Sequence, residues 1–324
     1  MLEELQGKVV LVHHWDTDGL CSAAMLMNRF KDAEITNWTP YIGAFYLTPE
    51  QINHLSLNNH VIIADMSLPN ENILTLSNKT NVTIFDHHFQ SEIETVHHIN
   101  PVGSGSSPED YPSCTWVIRK YFGQSENLLS ILGLVGDWGS KIKTSPQLVG
   151  AVSKFCLENS TDYNDLLRMV ELIDSSYNVG DRKEVINAAR YLQNASQSDI
   201  LTNPIWSANR LKFDKLVEEI LHDPPEEING VLFKKLDTSY NVISTITRRI
   251  AWGRGKNTIV LNTGLFSDQN QLYARSQETD MRPLIRRAKT LGYNAGGKKD
   301  VLGVIIPKDS TDAFMIEVIN YLRD

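Results

Sequence analysis

Three short apolar runs near the start of the sequence each lead into acidic or histidine residues. The runs cover residues 9–12, 61–64 and 82–85, and their length and β-branched content are typical of buried strands. The polar residues that follow them are His14, Asp16, Asp18, Asp65, Asp86, His87 and His88. Parallel strands bring their carboxyl ends to one edge of a sheet, where ligand sites form. The pattern therefore predicts that these side chains lie close together.

The segments between these runs predict helices. Helical patterns cover 23–30, 49–55 and 70–77, a further strand is predicted over 35–42, and residues 125–194 are helical in pattern. The apolar part of that stretch, 128–135, leads into Asp137. Residues 103–112 are rich in Gly, Ser and Pro and predict a loop. Alternating strands and helices indicate βαβ units, and hence a parallel sheet with helices on both faces.

The pattern changes after the Pro224-Pro225 pair. Strands are predicted over 231–233, 242–243, 258–261, 271–275 and 301–306, and helices over 283–291 and 312–322. We therefore predict an α/β protein with a parallel-sheet domain over 1–195, a helical linker over 196–228 and a smaller α/β domain over 229–324.

Charge is distributed unevenly along the 324 residues. The formal net charge is −8, but residues 229–324 contain fifteen Lys and Arg against nine Asp and Glu, which leaves +6 there and −14 in the remainder. A basic domain joined to an acidic one suits an anionic substrate held beside cations. Ordinary surface variation is the competing interpretation.

Composition also bounds the class of protein. The sequence has no apolar stretch near the ~18 residues that span a bilayer, and its first residues lack a secretory pattern. Three cysteines, Cys21, Cys114 and Cys156, have no metal-type spacing. We interpret them as reduced thiols and predict a cytoplasmic protein without membrane contact.

Six of the polar residues form a set that suits two divalent ions. They are His14, Asp16, Asp18, Asp65, His87 and Asp137. Two ions roughly 3.5–4 Å apart acidify a bridging water and neutralise phosphoryl oxygens, as phosphoester hydrolysis requires. Mixed carboxylate and imidazole ligands favour such a pair over a closed structural zinc site. If residues 14–18 stay extended, alternate side chains face one way, and Gly19 then permits a tight turn into the next helix.

These motifs resemble those of the DHH phosphoesterase superfamily. The matching residues, in order, are His14-x-Asp16-x-Asp18-Gly19, Asp65, Asp86-His87-His88 and Gly136-Asp137. Asn100-Pro101 and the pair Ser113 and Thr115 are similar to the RecJ-like branch. Residues 272–276 and 295–303 resemble the DHH-associated substrate domain, so that the resemblance covers essentially the whole chain.

The resemblance implies roles for individual residues. Two Mn²⁺ ions are the expected cofactor, with Mg²⁺ as the alternative. His14, Asp16 and Asp65 would hold one ion, and Asp18, Asp65, His87 and Asp137 the other, so that Asp65 bridges. In the catalytic pair, Asp86 would orient an imidazole, and His88 would contact the scissile phosphate or act as an acid.

The expected substrate-binding residues lie in the C-terminal domain. They are Arg275, Ser276, Gly296, Gly297 and Lys298. Arg275 would grip a phosphate other than the one that is cleaved, and glycines let backbone N–H groups approach a phosphate. The family's Gly-Gly-Gly-His is here Ala295-Gly296-Gly297-Lys298. A mobile cation therefore replaces a planar donor. We expect the metal site to face these residues across a cleft.

Three functions are consistent with these residues. The leading one is a metal-dependent exonuclease that releases mononucleotides from single-stranded DNA, RNA or short oligonucleotides. The alternative is a phosphodiesterase or phosphatase of small nucleotides, such as a nucleoside bisphosphate or a cyclic dinucleotide. A catalytically idle replication scaffold is disfavoured, because clustered carboxylates repel unless metals are bound. DNA replication or repair proteins and a second copy of the chain stay open as partners.

Overall fold

The computed structural model describes Leu5 and residues 7–323. The described residues up to Tyr177, together with Asp181–Arg210, form a first compact unit. Asn178–Gly180 and the described residues from Leu211 onward form a second. The sequence predicts a separate linker over 196–228. In the structure two helices, Gln197–Leu201 and Pro204–His222, occupy most of this stretch, and the division falls inside the longer one.

A five-stranded parallel sheet forms the centre of the first unit, with the strand order β2-β1-β3-β4-β5. The strands are β1 (Lys8–His13), β2 (Glu34–Trp38), β3 (His60–Ala64), β4 (Asn81–Phe85) and β5 (His97–Ile99). Residues 9–13 of β1, 61–64 of β3 and 82–85 of β4 are buried, which explains why their sequences are continuous apolar runs. The predicted parallel sheet is confirmed. β2 ends earlier than predicted, and β5 is not among the predicted strands.

Along the described residues up to His222, ten α-helices accompany this sheet. They are α1 (Thr17–Arg29), α2 (Pro49–Leu55), α3 (Asn70–Ser77), α4 (Cys114–Tyr121), α5 (Leu128–Trp138), α6 (Pro146–Glu158), α7 (Tyr163–Asn178), α8 (Arg182–Leu192), α9 (Gln197–Leu201) and α10 (Pro204–His222). Many begin at a side-chain cap. Thr48 and Gln51 form a capping box before α2, and Asn127 and Ser130 form one before α5.

The expectation that residues 14–18 stay extended is wrong. β1 ends at His13, and the Asp16 side chain accepts a hydrogen bond from Gly19 N at 3.1 Å, which makes Asp16 the N-cap of α1. Asp18 therefore lies in the first turn of a helix. Gly19 does not form a turn. A Cβ at Gly19 would lie 2.5 Å from His14 O, so the absent side chain permits close packing of the two segments.

The second unit is built on a mixed six-stranded sheet with the order β10-β11-β9-β8-β7-β6. Its strands are β6 (Glu226–Ile228), β7 (Val231–Leu236), β8 (Thr258–Asn262), β9 (Gln269–Arg275), β10 (Asn294–Lys298) and β11 (Val301–Pro307). Its helices, besides the end of α10, are α11 (Ile243–Arg254), α12 (Arg282–Thr290) and α13 (Thr311–Arg323). The predicted smaller α/β domain thus has a sheet of its own.

The strand predicted over 242–243 is wrong. Val242 precedes α11, and the buried residues of that helix, Ile243, Ile246, Thr247, Ile250 and Ala251, follow helical spacing. β-branched residues disfavour a helix only slightly. Burial of this face against Val260, Leu232 and Leu236 outweighs that preference.

Candidate functional site

The first unit brings all six predicted metal ligands to one end of its sheet. His14 and Asp16 follow β1, Asp65 follows β3, and His87 follows β4. Asp18 lies in the first turn of α1, and Asp137 lies in the last turn of α5. The site thus forms beyond the carboxyl ends of parallel strands, as the pattern of apolar runs predicts.

Three overlapping groups of side chains have ligand atoms within 4.8 Å of one another. Each group combines carboxylate and imidazole donors, and the groups are His14, Asp16 and Asp65; Asp18, His87 and Asp137; and Asp65, His87 and His88. The first two groups correspond to the two ligand sets that the sequence predicts. The difference is that the prediction includes Asp65 in both sets, whereas the second group lacks it. This donor chemistry suits a divalent transition metal.

Asp65 faces both sets with different oxygen atoms. Its Oδ2 lies 3.7 Å from His14 Nδ1, and its Oδ1 lies 3.4 Å from His87 Nε2. The backbone of Asp65 has φ 60°, which is the left-handed region that residues other than glycine rarely adopt. Strain of this kind persists where the surrounding structure enforces it, often at a functional site. The sequence contains no signal for this conformation.

Several close pairs of polar atoms in the cluster are not hydrogen-bonded. His14 Nδ1 lies 2.8 Å from Asp16 Oδ1, and His87 Nε2 lies 2.9 Å from Asp137 Oδ2. Nevertheless both nitrogens, like Asp65 Oδ1, are buried without a hydrogen-bond partner among the described residues. Distance alone therefore does not make these pairs hydrogen bonds. These pairs lie at ion-pair distance without hydrogen-bond geometry, and such converging ligand atoms fit a shared metal ion.

The electrostatics of the cluster support the same fit. Burial, followed by the charge of Asp137, raises the pKa of Asp18 to about 7. Burial, followed by the charges of Asp18 and Asp16, raises the pKa of Asp65 well above its usual range. Burial alone would lower the pKa of His87, but Asp137 and Asp18 reverse this and raise it to about 9. A divalent cation would relieve the repulsion among these carboxylates.

Asp18 is oriented by the start of α4. Its Oδ2 accepts a hydrogen bond from Cys114 N at 2.6 Å, and its Oδ1 accepts one from Thr115 N at 3.1 Å. Gly133 of α5 lies against the same carboxylate, because a Cβ there would be 2.3 Å from Asp18 Oδ1. The sequence prediction did not include Gly133. A glycine inside an apolar helix is the signal that indicates such a close approach.

Asp86 contacts His88 rather than the centre of the cluster. Its Oδ1 lies 2.7 Å from His88 Nδ1 and accepts a hydrogen bond from His87 N at 2.9 Å. The Asn100 side-chain amide donates to His88 O at 2.8 Å, which fixes the loop after β4. About half of the His88 side chain is exposed. Asp86 thus holds the His88 imidazole, and its role in the reaction stays a prediction.

Asp174 of α7 also belongs to the surroundings of the site. It accepts hydrogen bonds from Thr17 N at 2.9 Å and from Thr17 Oγ1 at 2.7 Å. Thr17 lies between Asp16 and Asp18, so Asp174 supports the segment that carries both. The sequence gives no indication of this contact, since Asp174 is an ordinary acid on an amphipathic helix.

The predicted substrate-binding residues all lie in the second unit. Arg275 ends β9, and Gly296, Gly297 and Lys298 lie on the edge strand β10. Strand register pairs Val301 of β11 with both Arg275 and Lys298, which brings these two cations into one cross-strand row. Ser276 differs: it is buried, and its hydroxyl accepts hydrogen bonds from Glu278 N and Thr279 N at 3.2 and 2.8 Å.

The part of the chain that carries these motifs matches a known family. The model of the DHH family, N-terminal domain, matches residues 8–135. The chain carries a DHH-family N-terminal domain. The match includes every predicted ligand except Asp137, which lies just beyond its end. The resemblance predicted from the sequence is confirmed, whereas the roles of the individual residues stay predictions.

Solved structures extend the likeness to both units of the chain. RecJ from Thermus thermophilus in complex with Mn²⁺ has a TM-score of 0.68 and 15% identity, over 98% of this chain and 52% of that one. Exonuclease RecJ bound to manganese has a TM-score of 0.65 and 16% identity, over 98% of this chain and 90% of that one. The chain thus spans about half of the Thermus protein but most of the second relative. Its fold is RecJ-like.

A third structure of similar fold is the pGpG-specific phosphodiesterase PggH from Vibrio cholerae. Its TM-score is 0.50 at 15% identity, over 98% of this chain and 99% of that one. No curated protein has a matching sequence. In the part of the chain that the structure describes, none of the helices has the length and apolar character needed to cross a membrane.

Proposed function

We propose that this DHH protein is a metal-dependent phosphoesterase that acts as an exonuclease. Its substrates would be single-stranded DNA, RNA or short oligonucleotides, and its products mononucleotides. The observation that carries the proposal is the position of Asp65 between two sets of ligand atoms, which is the arrangement that a two-metal site requires. The fold of exonuclease RecJ over 98% of the chain supports it.

The proposed metals are two Mn²⁺ ions, with Mg²⁺ as the alternative. His14, Asp16 and Asp65 would hold one ion, and Asp18, Asp65, His87 and Asp137 the other. When bound, such ions lower the pKa of a water and neutralise charge on the phosphoryl group. Both RecJ structures in this comparison contain manganese, and the ligand set suits that ion.

The residues of the chain would perform the remaining tasks. Asp86 holds the Nδ1 side of His88, so that Nε2 is free to donate a proton or hydrogen bond to a phosphoryl oxygen. Asp174 would hold the turn that carries Asp16 and Asp18. Arg275 and Lys298 would bind phosphate as a cationic pair, with Gly296 and Gly297 close to it. Ser276 would support the turn that follows Arg275.

The proposed partner is therefore nucleic acid rather than a membrane. Net positive charge in the C-terminal segment favours a phosphate-rich ligand. The three cysteines are free, and two of them are buried, which is consistent with the proposed cytoplasmic location. Replication or repair proteins and a second copy of the chain stay proposals that await a direct test.

A parallel digestion would test the proposed function. Labelled single-stranded DNA, RNA, a dinucleotide and a nucleoside bisphosphate are incubated with the metal-free protein and with added Mn²⁺, Mg²⁺ or Ca²⁺. We expect cleavage of the oligomers to mononucleotides, loss of cleavage on chelation, and better recovery with Mn²⁺ than with Ca²⁺. Asp65→Asn should be inactive, whereas Asp32→Asn, at an exposed position, should match wild type. Full activity of Asp65→Asn would overturn the proposal.

A small-nucleotide phosphodiesterase is the second candidate. The likeness to PggH supports it, because the chain covers 99% of that protein and PggH acts on pGpG. The net charge of −8 also suits a small substrate slightly better than a long polyanion. Cleavage of the dinucleotide or bisphosphate with none of the longer oligomers would select this function. A salt titration separates them further, since contacts with several phosphates weaken steeply with salt.

A further inference from the structure

Trp252 is unusual among the six tryptophans of the chain, all of which the structure describes. It is 44% exposed, whereas the other five are buried or half-buried. It lies near the end of α11, a helix whose opposite face is buried against the sheet of the second unit. The exposed ring offers a flat apolar face on which a planar ligand can stack.

Two arginines lie beside this ring. The Arg275 guanidinium is 5.9 Å from the centre of the Trp252 ring. Arg248 precedes Trp252 by one helical turn, and therefore shares its face of α11. Burial lowers the pKa of Arg275, Asp300 counteracts this, and the nearby charge of Arg248 lowers it further. Like charges at this proximity favour an anion between or beside them.

The hydrogen-bonding capacity of these arginines is largely unused within the protein. The Arg275 side chain is 13% exposed, yet its Nε has no hydrogen-bond partner among the described residues. Its ion pair with Asp300 is long, at 3.5 Å. In the same part of the chain, Arg248 forms neither a salt bridge nor a side-chain hydrogen bond with any residue that the structure describes. A buried unpartnered donor is costly, and an external acceptor would satisfy it.

Strand register places a third cation, Lys298, and an uncovered part of the sheet on the same face as Arg275. Tyr273 packs with α11, whereas Leu272 and Ala274 pack on the opposite face, so Arg275 lies on the α11 face of the sheet. Lys298 lies in the same cross-strand row and on the same face. Gly296, on the same face, has no side chain, and the space above it is open, whereas the Tyr273 ring covers Gly303.

We propose that Trp252 stacks a nucleobase of the substrate while Arg275, flanked by Arg248 and Lys298, binds an adjacent phosphate. An aromatic surface beside cations matches a nucleotide, because each base has a π-face and each linkage a negative charge. This inference rests on the proposed function and narrows it. The second unit would recognise a base together with a phosphate, and would not accept inorganic or base-free phosphates equally well.

The test is equilibrium binding to the full chain in EDTA, where hydrolysis does not interfere. Isothermal titration calorimetry compares a 5′-phosphorylated adenine dinucleotide with two analogues, each lacking one base. If Trp252 stacks on one of the two bases, the intact ligand should bind roughly tenfold more tightly than the analogue that lacks that base. We call this ratio of the two affinities the base ratio. Trp252→Leu should reduce the base ratio to about one, while its affinity for the analogue without the stacked base stays that of wild type. Trp252→Phe should retain most of the ratio.

Two further variants serve as controls. Arg275→Ala should lower the affinity for all three ligands by a similar factor, because each of them contains the phosphate. Ile316→Ala, at an exposed apolar position on α13, should change nothing. Circular dichroism checks that Trp252→Leu is folded, and Trp252→Phe carries the test if it is not.

The outcomes separate this inference from the proposed function. Three results would overturn the role of Trp252. They are a base ratio that is unchanged in Trp252→Leu, a base ratio of one in wild type, and no binding of any of the three ligands. Base-dependent binding without hydrolysis in Mn²⁺ would instead overturn the exonuclease and leave the nucleotide-binding surface in place.

Discussion

Asp174 accepts two hydrogen bonds from Thr17, although 157 residues separate them in the sequence. The donors are the backbone N–H and the hydroxyl of Thr17, at 2.9 and 2.7 Å. Thr17 is the first residue of α1 and lies between two proposed metal ligands. A carboxylate on α7 thereby fixes the start of the helix that presents Asp18 to the site.

Removal of the Asp174 carboxyl should weaken both the fold and the site. Asp174→Ala leaves Thr17 N without its acceptor and the Thr17 hydroxyl with only a long contact of 3.4 Å to Val170 O, and we expect a loss of about 1–3 kcal/mol in the free energy of unfolding. Mn²⁺ affinity should fall as well, because the turn that carries Asp16 and Asp18 loses support. Asp174→Asn retains an acceptor oxygen and should lie closer to wild type. Urea denaturation and calorimetric Mn²⁺ titration measure these effects.

The same residue predicts a dependence of stability on pH. Burial, followed by the charge of Asp16, raises the pKa of Asp174 to about 8. The unfolded chain releases this proton near pH ~4, so the folded state binds more protons between about pH 4 and 8. The contribution of Asp174 to stability is therefore full below that window and is lost as pH rises through it. Unfolding of metal-free Asp174→Asn should show a flatter slope than that of Asp32→Asn.

Gly133 should not tolerate a side chain. Gly133→Ala places a methyl group 2.3 Å from both Asp18 Oδ1 and Thr115 Oγ1. Overpacking of this kind costs about 1–3 kcal/mol, and it should also displace Asp18 and reduce Mn²⁺ affinity. Gly150→Ala in α6 is the matched control, because nothing lies within 4 Å of its Cβ. That variant should be stabilised by about 0.5–1 kcal/mol. Equal melting temperatures for the two variants would contradict the packing argument.

His88 and Asp86 should act as a unit on turnover. His88→Ala is expected to lower kcat by roughly 10²–10⁴ with little change in KM, because proton donation matters in the transition state. Asp86→Asn should lower kcat less. Its effect should largely vanish in the His88→Ala background, since Asp86 acts through the imidazole. His97→Gln, at an exposed histidine, is the control. Additive losses in the double variant would show that Asp86 acts independently.

Arg275→Ala should affect binding rather than chemistry. A phosphate distant from the cleaved bond is held equally in ground and transition states, so KM should rise while kcat stays near wild type. The salt dependence of binding should also become shallower by about one phosphate contact. Arg254→Ala, which removes an exposed cation of the same helix as Trp252, provides the comparison. A fall in kcat alone would place Arg275 in the reaction instead.

The sequence by itself determined the three central strands of the first unit's sheet and the end of the sheet at which the site forms. Short continuous apolar runs separated by helical segments are typical of a parallel sheet covered on both faces, and such a sheet aligns the carboxyl ends of its strands. His14, Asp65 and His87 follow three such runs, which made their convergence predictable. The same periodicity misled at 242–243, where Val242 precedes a helix and Ile243 begins it, because burial of that helix overrides the β preference of these residues.

Tertiary structure alone decided how the site is held. The donors to Asp18 come from Cys114 and Thr115, 96 and 97 residues away, and the acceptor for Thr17 comes from Asp174. The positive φ of Asp65 and the row that joins Arg275 with Lys298 also depend on packing and strand register. Local patterns encode which face of an element is buried. They do not encode which distant element packs there, because many pairings would bury the same apolar area.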